Sequence, residues 1–122
     1  MLRFLSLLPN YPAMATKKNT LKICLSALED LKAQDIQSLD ISKTSNFADW
    51  LIVATATSNT HAKAVSDKVI EAIKENNQSI MGIEGKENAE WVLIDGGEVV
   101  INIMLSETRE FYDLEGLWGA YS

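Results

Sequence analysis

Little in this chain suits covalent or metal chemistry. Cys24 is the lone cysteine among 122 residues, and His61 is the lone histidine. A single thiol excludes an intramolecular disulfide and fits a reducing compartment. One thiol and one imidazole fall short of any Cys/His zinc set. Neither a G-x-G-x-x-G stretch nor a P-loop occurs, so the glycine-rich cradles that hold phosphates are missing. Gly82, Gly85, Gly96 and Gly97 read as turn formers instead. No apolar run approaches the roughly 20 residues of a membrane span. Cations are scarce toward the C-terminus: residues 84–122 hold nine Asp/Glu and only Lys86 and Arg109. The one basic pair, Lys17-Lys18, lies near the start of the chain. Tyr and Trp therefore stand in an acidic setting, without the positive funnel that nucleic-acid stacking needs.

What is present is ordinary for a globular protein, with 47% hydrophobic and 23% charged residues. The length predicts one domain, able to remove roughly two thirds of its unfolded surface from water. Residues 1–18 are expected to form a disordered extension ahead of a domain over 19–122. A transit peptide is the alternative for that stretch, which would place the protein in mitochondria and not the cytoplasm. Leu21, Cys24, Leu25, Leu28 and Leu31 recur with helical spacing over 20–33. Cys24 on that stripe reads as a core residue, not a nucleophile. A short strand follows over 36–41. Trp50-Leu51-Ile52-Val53-Ala54 is a continuous apolar run suited to a strand buried on both faces. A helix from about Thr60 to Asn76 buries Ala62, Val65, Val69, Ala72 and Ile73, with His61 capping its start or bonding locally. Residues 79–83 read as a strand, so strand, helix and strand imply a crossover and a parallel pair.

The stretch from Trp91 to Trp118 carries the strongest signal. Two strand-like runs flank Asp95-Gly96-Gly97-Glu98. A tight hairpin with both glycines at its tip pairs Asp95 with Glu98, Ile94 with Val99, Leu93 with Val100, Val92 with Ile101 and Trp91 with Asn102. Alternation separates two faces. Val92, Ile94, Val99, Ile101 and Ile103 form a core face. Trp91, Leu93, Asp95, Glu98, Val100, Asn102 and Met104 form a mixed face that suits neither core nor plain solvent. A short helix then starts near Ser106, with Phe111, Leu114 and Trp118 packed on the sheet and Arg109, Tyr112 and Glu115 turned away. The whole is α/β, a mixed and mostly five-stranded sheet with helices packed on it.

Glu84-Gly85, the run WVLIDGGEVVINIM at 91–104 and the run REFYDLEGLW at 109–118 resemble the ribosomal silencing factor family, also called the Iojap family. Asp35-Ile36, Leu39-Asp40, Asp49, Ser58 and His61 sit where that family's pattern places them, and the resemblance covers about residues 20–118. Asn102 departs from it, since the family usually has His there. The resemblance implies an architecture similar to nucleotidyltransferases. It also implies a factor that binds the large ribosomal subunit through ribosomal protein L-fourteen. Such a factor blocks joining of the subunits and lowers translation when nutrients are short.

Read together, the residues and the resemblance predict an acidic partner-binding patch with an apolar centre. Its candidates are Glu84, Trp91, Asp95, Glu98, Asn102, Met104, Arg109, Tyr112 and Glu115. Trp91 and Met104 would be the anchors, and Asp95, Glu98 and Glu115 would meet basic residues of the partner. Trp91 alternatively covers an edge of the core under the first helix. Arg109 pairs with a partner carboxylate or braces Glu115 or Asp113. No cofactor, metal, membrane or sequence-specific nucleic acid is expected, and a homodimer is left open. Catalysis is not expected: Asp35, Asp40, Asp49 and Asp95 are scattered, with no Asp-x-Asp pair to hold two metals. The rival readings are a nucleotide-binding or nucleotidyltransferase-like enzyme, and an assembly adaptor unconnected with ribosomes.

Overall fold

The computed structural model describes the backbone of residues 11–119 and the side chains of residues 20–119. In chain order the elements are α1 (Tyr11–Asp30), β1 (Gln34–Asp40), β2 (Trp50–Ala56), α2 (Asn59–Glu75), β3 (Gly82–Glu84), β4 (Trp91–Asp95), β5 (Val99–Leu105), α3 (Ser106–Tyr112) and α4 (Leu114–Gly119). Of the stretch expected as an extension, residues 1–10 lie outside the described residues, and the backbone of 11–18 runs into α1.

The five strands make one mixed sheet in the order β1-β2-β5-β4-β3. β2 and β5 pair in parallel, and the other neighbours are antiparallel. The helix crossover does join two strands of like direction, β2 and β3. They are not neighbours, however, because β5 and β4 lie between them. The hairpin pushes in beside β2, where its β-branched β5 becomes the central strand, buried from Val99 to Met104.

The hairpin register differs from the expected one by two residues. Asp95 pairs with Val100, Leu93 with Asn102, and Trp91 with Met104. Only Gly97 of the two tip glycines has a positive φ, 85°. The Gly96 N–H donates to the Val99 carbonyl at 2.9 Å, which closes the turn. Glu98 is drawn away from Asp95, because its carbonyl accepts from the N–H groups of Asp49 and Trp50 at the start of β2. A two-residue shift leaves every side chain on its own face, so the division of faces stands.

On one face Val92, Ile94, Val99, Ile101 and Ile103 meet Ile52 and Ala54 of β2, under α1 and α2. Cys24 and Leu28 of α1, and Ala62, Val65, Val69 and Ile73 of α2, are fully buried there. α2 starts on Ser58, whose Oγ accepts from the His61 N–H at 3.0 Å. The opposite face carries a second core of Leu51, Val53, Val100 and Met104, closed by Ile41, Ala48, Leu114 and Trp118.

Candidate functional site

That second core decides which expected contact residues reach the surface. Met104, expected as an outer anchor, is 0% exposed, and Asn102 is 1% exposed. Among the described residues, the C-terminal helices and the residues after β1 cover the middle of this face and leave its β4–β3 side open. Both residues therefore lie beneath the surface. Asn102 works as an internal strut: its Oδ1 accepts from Trp91 Nε1 at 2.8 Å, and its Nδ2 donates to the Ile52 carbonyl at 3.3 Å. An amide supplies both the acceptor and the donor that this buried position needs.

Trp91 is half-buried. Its indole packs against the second core from the side, not under α1, and part of it stays exposed. Tyr112 leans on it with ring centroids 4.8 Å apart and planes at 50°, and Phe111 meets Tyr112 edge-on at 4.9 Å. Trp91 stands between two hollows. One of about 280 Å³ is lined by Glu84, Gly85, Trp91 and Leu93. The other, about 480 Å³, runs toward α3, with Glu90, Glu107, Phe111 and Tyr112 in its walls. Glu84 sits opposite Leu93 on the edge strand β3. Gly85 makes this arrangement possible: its φ is +82°, and a Cβ there would collide with the Trp91 carbonyl.

Phe111 was expected to pack on the sheet but is 80% exposed. A continuous helical stripe does not exist here, because the chain breaks at Asp113 with φ 45° and ψ 58°. The break resets the phase, so Leu114 and Trp118 face the core while Phe111 does not. Asp113 then caps α4, its Oδ1 accepting from the Gly116 N–H at 3.1 Å. Arg109 and Glu115, expected to turn away from the sheet, are partly buried against it and meet each other across the same break. Arg109 Nε and Nη2 donate to Glu115 Oε1 and Oε2 at 3.1 and 2.8 Å, and Nη1 donates to Thr55 Oγ1 at 2.8 Å. The guanidinium thus locks α3 to α4 and to the end of β2. Its hydrogen bonds hold the Glu115 carboxyl below the usual range, against the opposing push of partial burial. Of the two readings of Arg109, the internal brace is the one the geometry takes.

The candidates thus fall into separate groups. Glu84, Trp91 and Tyr112 share one open patch. Asp95 and Glu98 stand at the hairpin tip, about 13 Å from Trp91 at the rise of a strand. Asp95 there accepts from the Gly97 N–H at 2.9 Å. Arg109, Glu115, Asn102 and Met104 form the frame behind the patch. Glu90, Glu107 and Phe111, absent from the expected set, are at its mouth. For the two glutamates the sequence signal is the surplus of acid in this third of the chain, whereas the spacing of Phe111 points to the core.

The remaining reactive groups are held in structural roles. Burial pushes the Cys24 thiol up to about 12. His61 Nδ1 accepts from the Thr57 N–H at 2.9 Å, so Nε2 carries the hydrogen and donates to the Leu31 carbonyl at 2.6 Å. The ring ties the end of α1 to the turn before α2. Among the described residues no group of three or more His, Cys, Asp or Glu side chains is placed to hold a metal. Among them also, no helix is long and apolar enough to cross a membrane.

The family model described as "Ribosomal silencing factor during starvation" matches residues 14–122. The ribosomal silencing factor RsfS of Chromobacterium violaceum is 46% identical over 98 residues, covering 80% of each chain. The Bacillus subtilis protein of the same name is 34% identical over 103 residues, covering 84% of this chain and 87% of that one. A crystal structure of a Chromobacterium violaceum protein superposes with a TM-score of 0.82 at 44% identity, covering 84% of this chain and 85% of that one.

Proposed function

The chain belongs to the ribosomal silencing factor family, and on that footing we propose that it is a cytoplasmic translational repressor that binds the large ribosomal subunit. It docks through ribosomal protein L-fourteen and occludes the surface on which the small subunit would land. The mechanism is steric: no bond is made or broken, and no cofactor is used. The reading draws most on one observation. The acidic third of the chain surrounds an open patch of Trp91, Leu93 and Tyr112, with Glu84 on its edge. An aromatic centre with a charged rim is the make-up of a docking surface whose binding energy is concentrated in a few large side chains. The excess of carboxylates suits a basic ribosomal protein and repels exposed phosphate backbones.

Arg109, Glu115, Asn102 and Met104 serve this surface from behind, by holding α3 and Trp91 in place. Asp95 and Glu98 belong to its far rim. The test is co-sedimentation with purified large and small subunits across a salt series. Binding to large subunits alone, weakening as salt rises and competed by free L-fourteen, is the expected result. Equal recovery with both subunits, or none with either, would refute the reading.

A further inference from the structure

We propose that the cleft between the β3–β4 turn and α3 is a pocket for one arginine side chain of the docking partner. The inference deepens the reading above and rests on its claim that this face meets a basic protein.

The cleft, about 480 Å³, has two kinds of wall. One is aromatic, made by Trp91, Tyr112 and Phe111, which touch in series. Phe111 is 80% and Tyr112 51% exposed, so a contiguous ring surface faces water. Exposed apolar area of that kind marks a contact site more often than idle surface. The other wall carries Glu90 and Glu107. Both also line the adjoining cleft beside Thr55 and Thr57, so the two acidic residues are shared by the two hollows.

Nothing within the described residues neutralises them by an ion pair. The last third of the chain has two cations, and both are engaged elsewhere. Lys86 pairs with Asp67 of α2, and Arg109 with Glu115. The cleft is therefore negative, aromatic and unfilled by any described side chain. A cation over ring faces and beside carboxylates satisfies both walls at once. Arginine fits better than lysine: its planar guanidinium stacks on an indole or phenol while its edge donates two parallel hydrogen bonds to a carboxylate.

The pocket is also preformed. The Leu105 N–H donates to the Glu90 carbonyl at 2.9 Å, which pins that loop to the start of α3. Asn59 Nδ2 donates to the Asn88 carbonyl at 2.6 Å, which ties the same loop to α2. Little ordering is then needed on binding.

The test uses the full chain and simple probes. N-acetyl-arginine amide is titrated while the three indole N–H signals, from Trp50, Trp91 and Trp118, are followed by NMR. The Trp91 signal is expected to move saturably, with Trp50 and Trp118 unmoved. The lysine amide should bind at least threefold more weakly, and the neutral citrulline amide should not bind. The double variant Glu90→Gln/Glu107→Gln, with surface changes that leave the thermal midpoint in place, should lose the arginine response. It should also bind large subunits at least tenfold more weakly. A missing arginine response, an equal one to citrulline, or a double variant that binds subunits like the parent would overturn the pocket. Failure of the parent chain to bind large subunits would refute the ribosomal reading instead, and the titration would still decide the pocket.

Discussion

Removing one indole N–H tests how the docking surface is held. Trp91→Phe keeps an aromatic ring but deletes the donor that Asn102 Oδ1 accepts from at 2.8 Å. Asn102 is 1% exposed, so water does not easily replace that donor. Its remaining bond, to the Ile52 carbonyl, is long at 3.3 Å and uses the other end of the amide. An acceptor left unpaired in the interior costs about 1–3 kcal/mol. Trp91→Phe should therefore lose about 1.5 kcal/mol, at the lower half of the range because the indole itself is only half-buried. Asn102→Ala removes both bonds and leaves a small void, so about 2–3 kcal/mol is expected. Because the two substitutions break one shared bond, the double variant should fall short of the sum by about 1 kcal/mol. Urea unfolding measures all four proteins, with an unchanged slope showing that only stability has moved. Two results would refute the reasoning: Trp91→Phe within about 0.3 kcal/mol of the parent, or strict additivity in the cycle. Either would mean that the strut does not hold Trp91.

Acid should weaken the lock between α3 and α4. The folded Glu115 carboxyl lies below its ordinary value of 4.5, so the unfolded chain takes up that proton first. Its contribution to stability is complete above about pH 4.5 and is lost as pH falls through the folded value; Glu115→Gln should flatten that acid limb in pH-dependent melting, and an unchanged limb would count against the lock. Gly85→Ala forces a side chain onto a backbone with φ +82° and against the Trp91 carbonyl. A loss of at least about 2 kcal/mol is expected, with altered Trp91 fluorescence; a silent substitution would contradict the close approach. Cys24, fully buried with its thiol pushed up to about 12, should resist a thiol reagent in the native protein and react promptly in urea; fast native labelling would show that α1 does not seal the core.

Period and composition were enough to settle the layers. The alternation through Val92, Ile94, Val99, Ile101 and Ile103 forces one face inward, and a register two residues off still leaves it inward, because side-chain direction repeats every two residues. The apolar run at Trp50–Ala54 belonged in a central position, and the helical spacing of Val65, Val69 and Ile73 needed a sheet to cover. Local chemistry of this kind acts between neighbours in the chain, so it can be read along it. The docking patch could not be read that way. Whether Met104 lay outside or inside depended on Ile41 arriving over the second face from far along the chain, and on Leu114 and Trp118 folding back over it after the break at Asp113. Arg109 met Glu115 because one residue, Asp113, took a left-handed conformation and reset the helical phase. Glu90 and Glu107 came to line one cleft because the Leu105 N–H holds the turn before β4 against the end of β5. Which residues were apolar followed from order alone; which of them stayed uncovered was decided by contacts between segments far apart, where a single backbone angle can exchange inside for outside.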